Sequence, residues 1–475
     1  MTSTRYSTIA TRLKTNWLRG IDAQTVATQF EINVATLQNV NALAPISPTV
    51  VIAESDPSQF LAYFFAAVAL NCPVFLANPF WKASEWTQVW QQVQPAVLWG
   101  SSAPEECPSP MQPICHDAAS LRSLPMSGWI MIPTGGSSGQ VRFVIHTWET
   151  LMASVEGFQQ FFKLTSVNAY CVLPLYHVSG LMQALRCLVS GGTLAIAPFK
   201  QMETSPQLIC APHHFFLSLV PTQLQRLMRS PNHCYLLSQF RTVLLGGAPA
   251  WPELLNSVRT HRIPLAPTYG MTETASQVVT LPPDRFLAGH SSVGQSLPHA
   301  NISIRPLSVL SSTDDAQSHS VGAITIQCAS LALGYYPDHF FDSGVYCPDD
   351  IGFLDHEGEL HLIGRNSDKI ISGGENIFPA EVEAAIRATG LVTDVAVLGM
   401  SDRHWGEVVT AIIVPAHREV APTAIEKQLA HRLSRYKHPK RWMTMAQLPR
   451  NAQGKLNRKD LMNQAIAITQ SQAQD

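Results

Sequence analysis

Five short segments of this 475-residue chain collect residue types able to hold a nucleotide and its phosphates. The first, Pro133-Thr-Gly-Gly-Ser-Ser-Gly-Gln-Val-Arg142, sets glycines among hydroxyl residues directly after the apolar Trp129-Ile-Met-Ile. Glycine permits close backbone approach and unusual dihedral angles, so this loop can turn amides and hydroxyls toward a polyphosphate, with Arg142 adding charge. It matches neither GxxxxGK[ST] nor GxGxxG, and alone it reads equally as a polar turn. The second, Thr268-Tyr-Gly-Met-Thr-Glu273, offers an aromatic face for a base, a hydroxyl and a carboxylate suited to Mg²⁺ beside phosphates. Standing alone, Tyr269 is as well a core aromatic and Glu273 a solvated helix start. Asp349-Asp350 precede Gly364-Arg365, a carboxylate and a guanidinium that can grip the two hydroxyls of a ribose, although an acidic pair is usually just a turn. In Asp368-Lys-Ile-Ile-Ser-Gly-Gly-Glu-Asn-Ile-Phe-Pro379 a strand-like run breaks into a double-glycine loop before a helix. The last, Pro449-Arg-Asn-Ala-Gln-Gly-Lys455-Leu-Asn-Arg458, puts one lysine on a glycine-bearing loop, where a solvated lysine is the ordinary reading.

These segments need a scaffold, and the pattern around them predicts an α/β one. From about residue 50 to 300, short β-rich apolar runs at 49–53, 74–77, 96–99, 193–197 and 242–245 alternate with helix-compatible stretches, as in βαβ units around largely parallel sheets. Residues 60–70 read as a buried helix and 308–320 as a polar surface loop. After residue 365 the texture changes to short strands and charged helices, including 379–389 and 424–434. The expectation is a large N-terminal domain of β-sheets flanked by helices over 1–365, and a small, mobile α+β C-terminal domain over 366–475. The first 45 residues carry no motif.

Bulk composition excludes several partners. Thirty-two basic against 34 acidic side chains leave no net field for a nucleic acid. No apolar stretch reaches the roughly 20 residues needed to span a bilayer. Nine scattered cysteines without a CxxC pair suggest reduced thiols in a cytoplasmic compartment. A homo-oligomer is compatible with this composition.

Taken in order, the five segments resemble the adenylate-forming family of acyl-CoA synthetases, peptide-synthetase adenylation domains and firefly luciferase, over about residues 50–459. The resemblance implies an enzyme using ATP, Mg²⁺ and coenzyme A. It assigns the ATP phosphates to Thr134, Gly135, Gly136, Ser137, Ser138, Gly139 and Arg142, and the adenine to Gly247, Ala248, Tyr269 and Gly270. Thr272 would contact the α-phosphate, Glu273 would hold Mg²⁺, and Asp350 with Arg365 would take the ribose. Lys455 would bridge the attacking carboxylate and the α-phosphate, where a cation offsets repulsion between two anions. A hinge at Ser367 would then rotate the C-terminal domain and bring Gly373, Gly374 and Glu375 to the coenzyme A tunnel. The chain departs from the family's usual loop: Gly135 replaces serine, Val141 proline, Arg142 lysine and Phe143 glycine, and arginine is no simple substitute for lysine.

Leu173-Pro-Leu-Tyr-His177-Val-Ser-Gly180 resembles the acid-pocket motif of the family's CoA ligases, which implicates His177, Ser179, Gly246 and Gly270 in the acid site. The stretch Ala211-Pro-His-His-Phe-Phe-Leu-Ser lacks the aspartate by which peptide adenylation domains hold an α-amino group, and no carrier module follows, which favours a free acid and free coenzyme A. Within the ligases the resemblance is to a branch serving menaquinone and phylloquinone synthesis, whose substrate has two carboxylates. One of them must stay unreacted, and Arg186 is the candidate anchor; its ordinary reading is a surface or interdomain salt bridge. Two alternatives stay open: another aryl- or medium-chain acyl-CoA ligase, and a non-catalytic binding module with the same fold.

Overall fold

A computed structural model describes residues 2–42, 47–100, 126–135, 140–306, 320–337, 339–341, 344–372, 375–402, 404–417, 420–450 and 456–472. The polar loop expected at 308–320 lies almost wholly outside them.

Two sheets carry the N-terminal domain. The larger has eight strands; Leu18–Arg19, Leu194–Ile196, Asn168–Cys171, Phe215–Leu219, Thr242–Leu245 and Leu265–Met271 lie side by side and parallel. Ser276–Thr280 and Gln295–Ser296 then extend it antiparallel. A second sheet of seven strands centres on the parallel Val97–Trp99, Val50–Ile52, Val74–Leu76 and Ile130–Gly135. Antiparallel Val141–His146 and Gly334–Tyr336 follow. The parallel strands read as short unbroken apolar runs because helices cover both faces. The helix Pro57–Ala69 lies between the sheets with nearly every side chain buried. Its start is set by Asp56, whose carboxylate accepts from the Gln59 N–H at 2.9 Å, and by Pro57 at the first turn. The first 42 residues, which bore no motif, form the helices Thr2–Leu13 and Ala23–Ala42. Val26, Phe30, Val34 and Leu37 of the second helix enter the same core.

A four-stranded antiparallel sheet, Ala300–Pro306, Gly322–Cys328, Asp350–Leu354 and Leu360–Arg365, leads out of this domain. The C-terminal domain has its own five-stranded sheet, dominated by the antiparallel pair Val392–Asp402 and Gly406–Pro415, with separate apolar clusters on its two faces. The helix expected at 379–389 spans Pro379–Arg387, and the one expected at 424–434 starts earlier and ends sooner, at Pro422–Leu429. Pro422 opens it at its first turn, which moves its frame toward the N-terminus. Among the described residues no helix is long and apolar enough to cross a membrane, and seven cysteines are unpaired.

Candidate active site

The segment 268–276 is a sharp reversal between two strands. Leu265–Met271 ends in a single 3₁₀ turn, Thr272–Thr274, rather than a helix start. Ala275 and Ser276 then take positive φ values of 51° and 90°, which non-glycine residues hold only under tight constraint. The returning strand crowds Gly270, where an added Cβ would lie 2.1 Å from the Ser276 carbonyl oxygen. Glycine is therefore required there by contact. The turn is held from below by His146, a fully buried ring whose Nε2 lies 2.7 Å from the Thr272 carbonyl. A carbonyl only accepts, so Nε2 carries the proton; burial lowers the ring's pKa to about 4 and keeps it neutral.

On one flank of the turn stand the nucleotide candidates. The Tyr269 ring is buried among Val278, Ile302 and Ile324, and its hydroxyl donates to Asp350 Oδ2 at 2.7 Å. Asp350 pairs across the strands with Arg365, whose Nε is 3.4 Å from Oδ1. Tyr269, Asp350 and Arg365, far apart in sequence, are thus one linked group. Burial and the Asp350 carboxylate together push the Tyr269 phenol well above its ordinary range, so it stays a donor. Gly246 directly follows the neighbouring strand and lies against Thr268, whose hydroxyl would be 2.6 Å from a Cβ there, while Gly247 and Ala248 are exposed beyond it. Glu273 is buried, and its carboxylate accepts from the Tyr335 hydroxyl at 2.5 Å. Tyr335 in turn lies 3.1 Å from the Tyr346 hydroxyl and carries the Arg142 guanidinium 5.4 Å above its ring.

Thr134 and Arg142 face each other across the hairpin of Ile130–Gly135 and Val141–His146, with Gly135 opposite Val141. The departure at Phe143 is absorbed by the core, where its ring meets Phe75 edge-on at 5.0 Å. Gly136, Ser137, Ser138, Gly139, Gly373, Gly374 and Lys455 lie outside the described residues. Glu375 opens the strand Glu375–Ile377 and is exposed.

The acid-pocket candidates sit on the other flank. His177 is the last residue before the helix Val178–Ser190 and packs on Tyr176 at 4.6 Å. Ser179, Gln183 and Arg186 follow at helical spacing on one stripe of that helix. Arg186 is buried, at 3% exposure, which overturns the surface salt-bridge reading. Its guanidinium lies 4.1 Å over the Phe158 ring and reaches the Ser276 hydroxyl at 3.4 Å, while Nε has no partner. No carboxylate pairs with it among the described residues. Close by, His299 packs so tightly on Gly157 that a Cβ there would be 1.8 Å from its Nδ1. Both its ring nitrogens are buried without a hydrogen-bond partner, as is Gln183 Oε1. Burial first, and then the Arg186 charge, lower the His299 pKa to about 4. Ser276 lies opposite Met271 in the strand register, so this polar cluster meets the nucleotide candidates at the turn itself.

Sequence reasoning missed His146, Ser276, Gln183 and His299. Gln183 was within reach, because Ser179, Gln183 and Arg186 recur at positions i, i+4 and i+7. The others act across long sequence separations and leave no local signal.

This fold is that of an AMP-binding enzyme: the family's model matches residues 47–336 and the model of its C-terminal domain residues 381–455, and the chain belongs to that family. It is 34% identical over 334 residues to the 2-succinylbenzoate–CoA ligase of Listeria monocytogenes, covering 69% of this chain and 68% of that one. Among solved structures, o-succinylbenzoate CoA synthetase from Bacillus subtilis in complex with its acyl-adenylate intermediate shares the fold. Its TM-score is 0.76 at 24% identity, over 96% of this chain and 97% of that one. The same synthetase in complex with ATP and a magnesium ion gives a TM-score of 0.74 at 25% identity, covering 91% and 93%.

Proposed function

We propose that this chain is an AMP-forming acid–thiol ligase that adenylates 2-succinylbenzoate and passes the acyl group to coenzyme A. In the first half-reaction a substrate carboxylate oxygen attacks the α-phosphorus of ATP and pyrophosphate leaves. In the second, the thiol sulfur attacks the acyl carbonyl and AMP leaves. The observation that carries the choice of acid is Arg186. A buried guanidinium without an anion is costly, so the site calls for a carboxylate from outside the chain. The substrate's second carboxylate supplies it, with the Ser276 hydroxyl and neutral His299 as hydrogen-bond donors and His177 and Ser179 nearer the pocket mouth.

Asp350, held by Tyr269, takes the ribose hydroxyls with Arg365, and Gly246, Gly247, Ala248 and Gly270 frame the base. Thr134 to Gly139 with Arg142 hold the phosphates. Glu273 fits Mg²⁺, since its carboxylate presents hard oxygen ligands and accepts only the Tyr335 hydrogen bond among the described residues. When bound there, the ion would supply charge neutralisation at the phosphates. Lys455 stabilises the meeting of carboxylate and α-phosphate. Residues 1–365 and 366–475 work as two bodies about a hinge at Ser367, the second presenting Lys455 and then Gly373, Gly374 and Glu375. Balanced charge, unpaired cysteines and soluble co-substrates favour the cytoplasm.

A pyrophosphate-release assay over a panel of acids tests the reading. The expected result is a strong preference for 2-succinylbenzoate over benzoate and fatty acids. Equal rates across the panel would leave only the general ligase.

A further inference from the structure

The foot of the glycine-rich hairpin is fastened to the protein by two glutamines on one helix. Gln88 and Gln92 lie one turn apart on Ala83–Gln92, and both reach the peptide groups of Val141. The Val141 N–H donates to Gln88 Oε1 at 2.9 Å, and its carbonyl accepts from Gln92 Nε2 at 3.1 Å. The Tyr336 hydroxyl donates to the Gln92 carbonyl at 3.3 Å, closing the arrangement on the next strand.

The need for this clamp follows from the sheet. These Val141 groups point away from the paired strand Ile130–Gly135, and Gly334–Tyr336 covers the other side of Val141–His146 only as far as Phe143. Beyond Tyr336 the chain enters Pro337, which has no N–H to give. Val141 is buried, so its N–H and carbonyl would otherwise lack both a strand and water. Proline, the residue common here in the wider family, would bring no N–H to satisfy. Valine does, and Gln88 meets it.

We propose that Gln88 and Gln92 are positioning residues for ATP: by fixing the Val141 peptide they aim the adjoining Arg142 over Tyr335, beside Glu273. The inference rests on the reading of this loop as the phosphate site. Loss of one such net hydrogen bond is worth about threefold to tenfold in binding. Gln88→Ala and Gln92→Ala should each raise the KM for ATP by that factor in pyrophosphate release, with the KM for the acid unchanged. Gln88→Glu retains an acceptor and should restore the ATP value. In a Val141→Pro background, which removes the N–H, Gln88→Ala should have no further effect. Arg142→Ala separates the two readings. If it raises the KM for ATP while neither glutamine variant does, the clamp is wrong and the phosphate site stands. If Arg142→Ala itself leaves the KM for ATP unchanged, the phosphate reading fails and the proposal with it. Parallel shifts in both Michaelis constants, with a lowered Tm, would make the glutamines merely structural.

Discussion

Arg186 keeps a full charge where water cannot solvate it; burial lowers its pKa only to about 10, so the cation persists at neutral pH. Its cation–π contact with Phe158 offsets part of the desolvation but leaves Nε unpaired and the charge without a carboxylate among the described residues. Arg186→Ala should therefore raise the KM for the diacid roughly tenfold to a hundredfold, the range for a charge-assisted hydrogen bond, and leave benzoate nearly unaffected. An unchanged KM for the diacid would remove Arg186 from the pocket. His299 makes a finer test. Its ring packs against Gly157, and both its nitrogens are buried without a hydrogen-bond partner. His299→Leu stays close in volume and loses the hydrogen bond, so the KM for the diacid should rise about threefold to tenfold. Lys455→Ala should abolish adenylate formation yet leave thioester formation from a supplied acyl adenylate largely intact. Equal loss of both steps would sink its one-step role.

At the scale of elements, the turn 268–276 joins both halves of the site, and its support comes from a strand distant in sequence. His146 ends Val141–His146 and holds the Thr272 carbonyl, and the Ser154 hydroxyl on Trp148–Phe161 holds the Ala275 carbonyl at 2.7 Å. His146 binds no second proton in the fold until pH approaches 4, whereas in the unfolded chain it does so near 6.5. The unfolded state thus holds more protons in that window, and stability falls as pH drops from about 6.5 to 4, by roughly 3 kcal/mol at most for this residue. Denaturant titration across the window should show the loss, and His146→Gln should flatten it. A slope identical in the variant would show that other groups cause it. The same residues explain what could be read from the chain. Strands such as Thr242–Leu245 were legible because burial on both faces makes them unbroken apolar runs. Tyr269, Asp350 and Arg365, singled out by residue type, are brought together by the fold. His146, His299 and the Gln88–Gln92 clamp were not legible, since nothing local marks a residue whose partner lies on another element. The helix Ala23–Ala42 was not anticipated, because it carries no motif, although Val26, Phe30, Val34 and Leu37 recur along it at helical spacing.

At the scale of the whole molecule, two domains with separate cores are in contact at Trp251. Arg387, on the helix Pro379–Arg387, lies 5.3 Å over the ring of Trp251, just past Gly246-Gly247-Ala248. Arg387 also stands 3.7 Å from Asp394, to which Arg450 makes paired hydrogen bonds at 2.9 and 2.8 Å. Arg450 bridges back to Leu456, so these bonds anchor the stem of the segment that carries Lys455. Trp251 therefore connects, through Arg387, Asp394 and Arg450, to the base of the lysine loop. In the two-orientation reading proposed above, this contact is assigned to the arrangement that adenylates, and a contact made in one state alone shifts the equilibrium toward that state. A half-buried cation–π contact of this kind contributes about 1 kcal/mol, so Trp251→Ala should slow adenylation about twofold to fivefold. Thioester formation from supplied adenylate should hold steady or quicken, since the released domain spends more time in its other orientation. Single-turnover measurement of the two half-reactions separates the possibilities: a matched decline in both would mean that Trp251 supports the nucleotide pocket itself, and that the bias between orientations is set elsewhere.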